Sequence, residues 1–358
     1  MREPSDRRVA VIGAGVAGLN TALQLAALDI RSLIVEKDPK LGGHANLLHR
    51  DMLTGDSIRG WVGSKIDETI RNPNIEVMNN AEIIMSTKEG RRFRLRIRLM
   101  SSKQPEETGD IEAEVDAIVV ATGFTLFDAS RIPQYGYGRY RDVINNMDYE
   151  TLTDPEGPTR GEILRASDGK RPKSIVFLTC IGSRDLKYNA YCCRIGCPAA
   201  LNQALSVKGK YGKEVEVYVC YIDMRAVGRG VEEIYHEAMK AGIIFIQGQP
   251  SEIKPNSHGS LSVELFDSST SKLLSITGDL VVLETGLSPN SDLAPVLGIG
   301  TEEDGFYEVA HPKFDTSTTL VNGIFLAGTS EGPKDIAETL DHSSKTVMKV
   351  LEYLLRDG

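Results

Sequence analysis

The sequence predicts an α/β protein with two Rossmann-like, dinucleotide-binding-type domains. A short apolar strand at 8–12 leads into a glycine-rich turn and a helical pattern, and a second strand–helix alternation begins near Lys173. Both alternations close on an apolar strand followed by Thr-Gly, at 115–123 and at 279–286. We therefore expect a discontinuous first domain over 1–155 and 288–358, with a second domain over 156–287 inserted into it.

Length and composition narrow the class of protein. The 358 residues, 41% of them hydrophobic, suffice for two sizeable cores. The formal net charge of −9 argues against general nucleic-acid binding. No apolar run is long enough to span a membrane, and the first residues lack the form of a signal peptide. Five cysteines, an odd number, favour a reducing compartment and metal or redox use, so we expect a cytoplasmic protein.

The first motif is G-A-G-V-A-G at 13–18, followed by a helical pattern and a second strand that ends at Glu36. The first glycine permits a tight turn, the second lets the backbone approach a diphosphate, and the third lets helix and strand pack closely. An acidic residue at the end of the second strand accepts hydrogen bonds from ribose hydroxyls and argues against NADP at this site. The predicted contacts of this motif are Gly13, Gly15, Val16, Ala17, Gly18 and Glu36.

Three further segments resemble two-dinucleotide-domain flavoproteins of the thioredoxin reductase-like fold. They are E-K-x-x-x-L-G-G at 36–43, the A-T-G turn at 121–123 and the late strand V-N-G-I-F-L-A-G at 321–328. The resemblance implies FAD. The late strand usually ends in Gly-Asp, whereas this chain has Thr329, so the contact with the ribityl chain must change. The contacts that the resemblance adds are Lys37, Gly42, Gly43, His44, Asn46, Ala121, Thr122, Gly123, Gly328 and Thr329.

A helix is expected to begin near Gly332-Pro333, since proline is favoured at the first helical position. In the resembling fold this helix N-terminus faces the flavin, and its dipole stabilises negative charge on the reduced ring. The expected contacts here are Pro333, Lys334, Asp335 and Ile336.

Four of the five cysteines lie within eighteen residues, directly after the strand predicted at 174–179. A nicotinamide-binding domain would carry its glycine-rich loop there, so T-C-I-G-S-R-D in that place argues against nicotinamide binding. Zinc ribbons usually have two C-x₂₋₄-C knuckles, and a redox disulfide needs a C-x-x-C or similar pair. Buried thiols without metal are the remaining alternative, which we assign to Cys220. A compact set of soft thiolates favours a [4Fe–4S] cluster, with the ligands Cys180, Cys192, Cys193 and Cys197.

The pattern C-I-G-S-R-D…Y-C-C-R-I-G-C resembles the middle region of the flavoprotein subunit of heterodisulfide reductase, approximately C-V-G-S-R-D…Y-C-S-R-V-C-C. The resemblance extends over nearly the whole chain. It implies FAD and a cluster in a homodimeric electron-transfer subunit that docks cluster- and disulfide-active partners.

This chain departs from that family pattern in two places. Gly196 precedes Cys197 where the family has cysteine, so we assign the fourth ligand to Cys193. The family usually has a lysine near flavin N5, five residues after the last ligand, and this chain has Asn202. The short form resembles the heterodisulfide-reductase-like complex of sulfur oxidisers, which works with lipoate-binding proteins.

The resulting prediction is an FAD- and [4Fe–4S]-containing electron-transfer subunit of a cytoplasmic heterodisulfide-reductase-like complex in sulfur oxidation. The partners are other subunits of that complex and a lipoate-binding protein, with no nucleic acid and no membrane span, and no catalytic residue is assigned. One alternative is a stand-alone NAD(P)H-dependent flavin oxidoreductase with a structural metal site. Another is a scaffold that retains FAD for structure alone.

Overall fold

The computed structural model describes residues 6–51, 57–100 and 109–356. By its internal contacts the chain divides into two compact units. Unit 1 comprises Met1–Asn46, Ile58–Thr125 and Pro289–Gly358. Unit 2 comprises Leu47–Ser57 and Leu126–Ser288.

The elements alternate between strand and helix in both units, as the sequence predicts. Up to residue 126, in chain order, they are β1 (Arg8–Ile12), α1 (Val16–Ala27), β2 (Arg31–Val35), α2 (Ile58–Arg71), β3 (Ile75–Met78), β4 (Ala81–Glu89), β5 (Arg92–Leu99), β6 (Asp110–Val115), β7 (Ala117–Val120) and β8 (Phe124–Leu126). Unit 2 then contains β9 (Val143–Asn145), α3 (Asn146–Thr153), β10 (Ser174–Ile181), α4 (Gly196–Tyr211), β11 (Glu216–Tyr221), α5 (Val231–Lys240), β12 (Ile244–Gln247), β13 (Pro250–Pro255), β14 (Leu261–Asp267), β15 (Lys272–Gly278) and β16 (Leu280–Thr285). The chain returns through β17 (Leu287–Pro289) and ends with α6 (Ala294–Leu297), β18 (Ile324–Leu326) and α7 (Ile336–Leu355).

Unit 1 is built on a parallel five-stranded sheet in the order β18-β7-β1-β2-β3. Its central strand β1 is an apolar run, because helices and a second sheet cover both of its faces. On one face the core contains α1 and α7, and on the other it contains the antiparallel sheet β4-β5-β6. The carboxyl ends of β1, β2, β7 and β18 therefore share one edge, which is where this fold binds its ligands.

Unit 2 repeats this arrangement with the order β12-β11-β10-β16-β9 and an antiparallel sheet β13-β14-β15. All eight residues of β10 are buried. The predicted mixed fold with two parallel sheets is confirmed. No helix among the described residues is both long and apolar enough to span a membrane.

Apart from the short segment Leu47–Ser57, the chain passes from unit 1 into unit 2 at 125/126, whereas the sequence predicts this crossing near residue 155. The reason is the pairing of β9 with β16, which makes Val143–Asn145 an edge strand of the second sheet. Helix α3 follows directly, with Asn145 as its N-cap in a capping box with Asp148. The segment 126–155 therefore belongs to unit 2, because its strand β9 pairs with β16 of that unit. The sequence alone did not reveal this pairing, since the two strands are far apart in the chain.

Candidate cofactor and cysteine sites

The turn after β1 requires glycine at two of its three motif positions for steric reasons. Gly13 has φ +101°, and a methyl group there would collide with the carbonyl oxygen of Ala121. A methyl group at Gly18 would collide with the carbonyl oxygen of Gly13 itself. These contacts bring α1 against the turn and align its N-terminus with the edge of the sheet.

Gly15 has a different role, because the space beside it is open. It is the N-cap of α1 in an extended conformation, and no atom outside its own stretch of backbone lies within 4 Å of the position that a Cβ would take. No side chain caps the helix at this position. The N–H groups of the first turn thus remain available for an anion that approaches the backbone closely. This geometry fits the diphosphate of FAD.

Glu36 lies at the end of β2, as predicted, and is almost fully buried. Its Oε2 accepts a hydrogen bond from the backbone N–H of Ala14 at 2.6 Å, and its Oε1 accepts one from the backbone N–H of Asp38 at 2.8 Å. The carboxylate therefore joins the end of β2 to the glycine turn. Each oxygen has a further lone pair for a hydroxyl group.

The loop at 42–46 packs against the glycine turn. The N–H of Gly42 donates to the carbonyl of Ala14 at 2.7 Å, and a Cβ at Gly43 would lie 3.1 Å from the Cα of Gly15. The side-chain amide of Asn46 donates to the carbonyl of Leu41, so it stabilises its own loop. This internal role was not predicted for Asn46.

His44 lies in the same loop, and its ring stacks on Phe124 with the centroids 4.4 Å apart and the planes inclined by 6°. Burial lowers the pKa of His44. Lys37, seven residues earlier in the chain, is exposed. His44 is thus a partly buried ring with a lowered pKa, whereas Lys37 lies at the surface.

Two further turns lie beside the glycine turn. The hydroxyl of Thr122 donates to the carbonyl of Asn290 at 2.9 Å, and the Asn290 amide returns a bond to the Thr122 carbonyl at 3.1 Å. A Cβ at Gly123 would lie 3.9 Å from the hydroxyl of Thr329, and one at Gly328 would lie 2.6 Å from the Cβ of Ala17. The predicted contacts at 13–18, 42–46, 121–123 and 328–329 are therefore brought together within unit 1.

The late helix does not begin at Pro333. Helix α7 begins at Ile336, and Asp335 is its N-cap in a capping box with Glu338. The side chain of Asp335 accepts from the Glu338 N–H at 2.7 Å, which fixes the start of the helix after Pro333. Lys334 forms an ion pair with Glu331, so its charge is already compensated.

The four clustered cysteines lie at the carboxyl end of β10, the central strand of unit 2, and in the segment that follows it. Cys180 is the second-last residue of β10 and has φ +62°, in the left-handed region. Cys192 and Cys193 belong to the loop at 182–195, and Cys197 lies in the first turn of α4. Cys192 is half-buried and the other three are buried.

These thiols influence one another electrostatically. A hydrogen bond from the Cys193 thiol lowers the pKa of Cys192 to about 5, against the opposing effect of burial, and raises that of Cys193. Burial raises the pKa of Cys197 to about 11, and Cys180 and Cys192 add to that increase. All five cysteines of the chain are free.

The thiols are neighbours, but they are not arranged around a common centre. In the part of the chain that the structure describes, no group of three or more His, Cys, Asp or Glu side chains has the arrangement of a metal site. The donor set itself, four soft sulfur atoms, is of the kind that binds iron–sulfur clusters.

The loop that carries these cysteines is held by its own hydrogen bonds. The N–H of Arg184 donates to the carbonyl of Tyr191 at 2.9 Å, and the Tyr191 hydroxyl donates to the carbonyl of Leu287 at 2.8 Å. Arg184 also forms an ion pair with Asp223, in the loop after β11. Asn202 lies in the second turn of α4, where its amide donates to the Pro198 carbonyl at 3.0 Å.

A functional candidate that the sequence analysis missed is Glu284, near the end of β16. It is fully buried, and neither carboxyl oxygen has a hydrogen-bond partner among the described residues. Burial, reinforced by Glu150, raises the pKa of Glu284 well above its usual value. A Cβ at Gly196 would lie 3.9 Å from the Cβ of Glu284 and 3.2 Å from the Cys193 sulfur, so this acid adjoins the cysteine loop. In the sequence, the signal for Glu284 was its position directly after the apolar run 280–283, where a charged residue is unusual.

The fold and the glycine turn define a class of protein. Residues 7–342 match the family described as pyridine nucleotide-disulphide oxidoreductase, and the chain belongs to that family. The solved structures that it resembles include the thioredoxin reductases of T. acidophilum and Lactococcus lactis, each with a TM-score of 0.65, at 18% and 20% identity. The alignments cover 98% of this chain and 99% of each reductase. The family supports FAD as the cofactor of this oxidoreductase.

The more specific similarity is to one subunit of the heterodisulfide reductases, which confirms the resemblance found in the sequence. The chain is 33% identical to a CoB–CoM heterodisulfide reductase iron-sulfur subunit of Methanopyrus kandleri, over 94% of this chain and 62% of that protein. It is 31% identical to a subunit of the ferredoxin/F420H2-dependent CoB–CoM heterodisulfide reductase of Methanosarcina acetivorans, over 98% of this chain and 53% of that protein. The chain thus spans less than two thirds of the length of these relatives.

Proposed function

We propose that this chain is the FAD- and [4Fe–4S]-containing electron-transfer subunit of a cytoplasmic heterodisulfide-reductase-like complex. The observation that carries the proposal is the difference between the two sheet edges. Unit 1 has a complete glycine turn with open space beside Gly15, whereas unit 2 has four cysteines in the equivalent place. The relative in Methanopyrus kandleri is itself named an iron-sulfur subunit.

In this proposal FAD is held by unit 1. Gly15 leaves room for the diphosphate, and Glu36 accepts hydrogen bonds from the ribose hydroxyls. The remaining part of FAD is surrounded by the loop at 42–46 and the turns at 121–123 and 328–329. Residues 333–336 lie beside the reactive ring. FAD supplies a ring system that exchanges one or two electrons. Lys334 is paired with Glu331, so it adds little net positive charge beside that ring.

The proposed cluster ligands are Cys180, Cys192, Cys193 and Cys197. Left-handed backbone at Cys180 costs about 1–2 kcal/mol, and the same applies to Arg184 and Arg194 in the loop. Such conformations persist where the surrounding structure enforces them, and they often occur at functional sites. The thiols are already neighbours, so we propose that, after small movements of the loop, each of the four thiolates would bind one iron of the cluster.

The proposal extends to partners and to biological context. It comprises a homodimer that binds other subunits of the complex and exchanges electrons with a lipoate-binding protein in sulfur oxidation. The similarity of the chain to subunits of heterodisulfide reductases supports the partner subunits. The odd number of free cysteines supports a reducing, cytoplasmic location.

The test is a cofactor analysis of protein purified without oxygen. We expect one FAD per chain, with about four iron and four sulfide. Electron paramagnetic resonance during a redox titration should then give a cluster signal that titrates separately from the flavin. FAD at full occupancy with iron and sulfide near zero would overturn the cluster, and a flavin that cannot be reduced would favour the scaffold alternative.

Alanine variants of the cysteines sharpen the test. Cys180→Ala and Cys197→Ala should lose the cluster absorbance and retain FAD, and Cys193→Ala should behave alike if it is the fourth ligand. Cys220→Ala is the matched control, because Cys220 is equally buried but lies within β11. Its iron content should equal that of the wild type.

A second candidate is a stand-alone NAD(P)H-dependent flavin oxidoreductase, which the description of the family favours. The cysteine turn after β10 speaks against it, since that position would hold the phosphates of the nicotinamide cofactor. Anaerobic stopped-flow mixing with NADH and with NADPH decides between the two. Rapid, saturable bleaching of the flavin would favour the second candidate over the first.

A further inference from the structure

His342 is a buried residue on α7 that takes no part in the proposed cofactor contacts. Its Nδ1 accepts a hydrogen bond from the backbone N–H of Gly328 at 3.0 Å. Its Nε2 lies 3.1 Å from the carbonyl oxygen of Thr316. The imidazole thus connects the turn after β18 with a separate segment of unit 1.

The hydrogen-bond geometry fixes both the charge and the tautomer of this ring. The Gly328 N–H can only donate, so Nδ1 must present a lone pair. The proton of the neutral ring is then on Nε2, where the Thr316 carbonyl accepts it. A doubly protonated ring would place an N–H against the N–H of Gly328, so the observed arrangement requires the neutral form.

The Gly328 N–H belongs to the point where the chain leaves the sheet. The N–H of Ala327 still donates to the Val120 carbonyl of β7 at 2.9 Å. At Gly328 the backbone becomes left-handed, with φ +65°, and a short 3₁₀ turn covers Gly328–Ser330. Without His342 this buried N–H would lose its partner.

The position of this turn affects the edge of the sheet that holds the glycine turn. A Cβ at Gly328 would lie 2.6 Å from the Cβ of Ala17, in the first turn of α1, and the Thr329 hydroxyl faces Gly123. A displacement of Gly328 would therefore alter the space between the start of α1 and the turn at 121–123.

We infer that His342, neutral and protonated on Nε2, is a positioning residue that fixes the Gly328–Ser330 turn against the N-terminus of α1. The inference rests on the proposed FAD site for its functional consequence. His342 is not itself a predicted cofactor contact. It bonds to the backbone of Gly328, which is one, so it acts through this turn. Loss of the acceptor should loosen the turn and weaken the binding of FAD.

The test compares three variants. His342→Leu removes both ring nitrogens, whereas His342→Asn retains an acceptor oxygen near the position of Nδ1. Thr346→Val is the matched control, because the Thr346 hydroxyl, one turn further along α7, is also buried. It lies 2.7 Å from the carbonyl oxygen of Leu326 and 2.9 Å from that of His342, and it does not bond to the turn.

The first measurement needs no cofactor. In apoprotein we expect the Gly328 amide to exchange with solvent at least about tenfold faster in His342→Leu, the loss that corresponds to one buried hydrogen bond. Exchange should stay close to wild type in His342→Asn and in Thr346→Val. The ¹⁵N spectrum of the wild-type ring should show an unprotonated Nδ1 and a protonated Nε2.

The second measurement is the dissociation constant of FAD, from the quenching of flavin fluorescence. We expect His342→Leu to bind about tenfold more weakly and His342→Asn to stay within about threefold of the wild type. Unchanged Gly328 exchange in His342→Leu would overturn the inference. So would an equal loss in Thr346→Val, or a His342→Asn variant as defective as His342→Leu.

The two proposals can fail separately. If the exchange pattern is as expected but the wild type binds no FAD, the proposed cofactor is overturned and the positioning of the turn is supported. If FAD binds and the exchange pattern is absent, the positioning role is overturned and the FAD site stands.

Discussion

The connection after β1 and the connection after β10 begin at equivalent positions in two sheets with the same strand order. Their residues differ, with glycines in the first and cysteines in the second. Ile12 at the end of β1 pairs with Val120, and Leu178 near the end of β10 pairs with Leu283. The residues that come next after these two partners are Ala-Thr-Gly in unit 1 and Glu-Thr-Gly in unit 2. The two edges therefore have the same framework, and the difference lies in the connection that follows the central strand.

The length of that connection determines what it can bind. Three residues separate β1 from α1, so the helix N-terminus itself adjoins the sheet edge, and glycine is needed where a side chain would collide. Fourteen residues separate β10 from α4, and these form a loop with hydrogen bonds of its own. A short glycine turn presents backbone N–H groups to an anion, whereas a long loop can present side chains such as thiols.

The partner strands differ at one residue in a way that fits this contrast. In unit 1 the position after β7 is Ala121, whose backbone lies against Gly13. In unit 2 the corresponding residue is the buried Glu284, beside Gly196.

The largest expected effect is on FAD binding at the unit 1 turn. Gly15→Val should weaken the binding of FAD by at least about 100-fold, since the branched side chain would occupy the open space that a diphosphate needs. Gly15 has φ −73°, which any residue can adopt, so the unfolding free energy of apoprotein should change by no more than about 1 kcal/mol. Fluorescence titration and urea unfolding measure the two quantities. Normal FAD binding with a full iron content would show that the two edges do not have the separate roles proposed.

The next effect is on the packing of the same turn. Gly18→Ala should lower the unfolding free energy by about 3 kcal/mol, because the obstacle is the Gly13 backbone, which cannot rotate away. Gly196→Ala should cost less, since the Cys193 sulfur at 3.2 Å can move. Gly63→Ala, in α2 with open space around it, should be neutral or stabilising and is the control. Urea midpoints of the three variants give the order, and equal costs at 18 and 196 would contradict the contrast between the turns.

The third effect is a pH dependence of the unfolding free energy that arises from His342 in unit 1. Burial, together with the nearby Lys334, lowers the pKa of His342 to about 4. The unfolded chain takes up this proton near pH 6.5 and the folded chain does not, so stability is lost as the pH falls from about 6.5 towards 4. Between about pH 7 and 4.5 the wild type should lose about 2 kcal/mol more than His342→Asn, which has no titrating ring.

Urea unfolding of apoprotein at both pH values measures this difference. Lys334, Lys345 and Glu331, which face the ring, are present in both proteins and cancel in the comparison. Parallel pH profiles would show that the ring is already protonated or exposed in the folded state.

The smallest effect is a pH dependence of the unfolding free energy that arises from Glu284 in unit 2 and has the opposite sign. Because the pKa of Glu284 is raised in the folded protein, its contribution to stability is present at low pH and is lost as the pH rises above the unfolded value. Glu284→Gln should therefore gain stability relative to the wild type between about pH 6.5 and 7.5, by at most about 1.4 kcal/mol. The exposed Glu237→Gln is the control and should follow the wild type. A relative loss for Glu284→Gln would mean that the carboxylate has an ionic partner.

The sequence predicted the parts of the site that depend on local geometry. The glycine turn, the acid at position 36 and the cysteine turn were all recognised from their spacing beside an apolar strand. The start of α7 was misplaced, because proline at 333 suggested a first helical position while the Asp335–Glu338 capping box determined the actual one. The first domain was expected to continue to residue 155, whereas 126–155 clusters with unit 2, because β9 pairs with β16 about 140 residues further along the chain.

Other features could not be recognised before folding. Asn46 was expected to contact the cofactor, but its amide donates to Leu41 within its own loop. His342 and Glu284 have no motif around them, and their importance follows from burial and from the hydrogen-bond partners that they have or lack among the described residues.

The sequence by itself determined which chemical groups follow each central strand: glycines and an acid in one unit, and cysteines in the other. These depend on steric rules and ligand chemistry that act over a few residues. Only the tertiary structure decided which buried groups have partners, how the turns of unit 1 pack on one another, and that the four thiols become neighbours. Those outcomes depend on contacts between segments far apart in the chain, and burial sets their free energy.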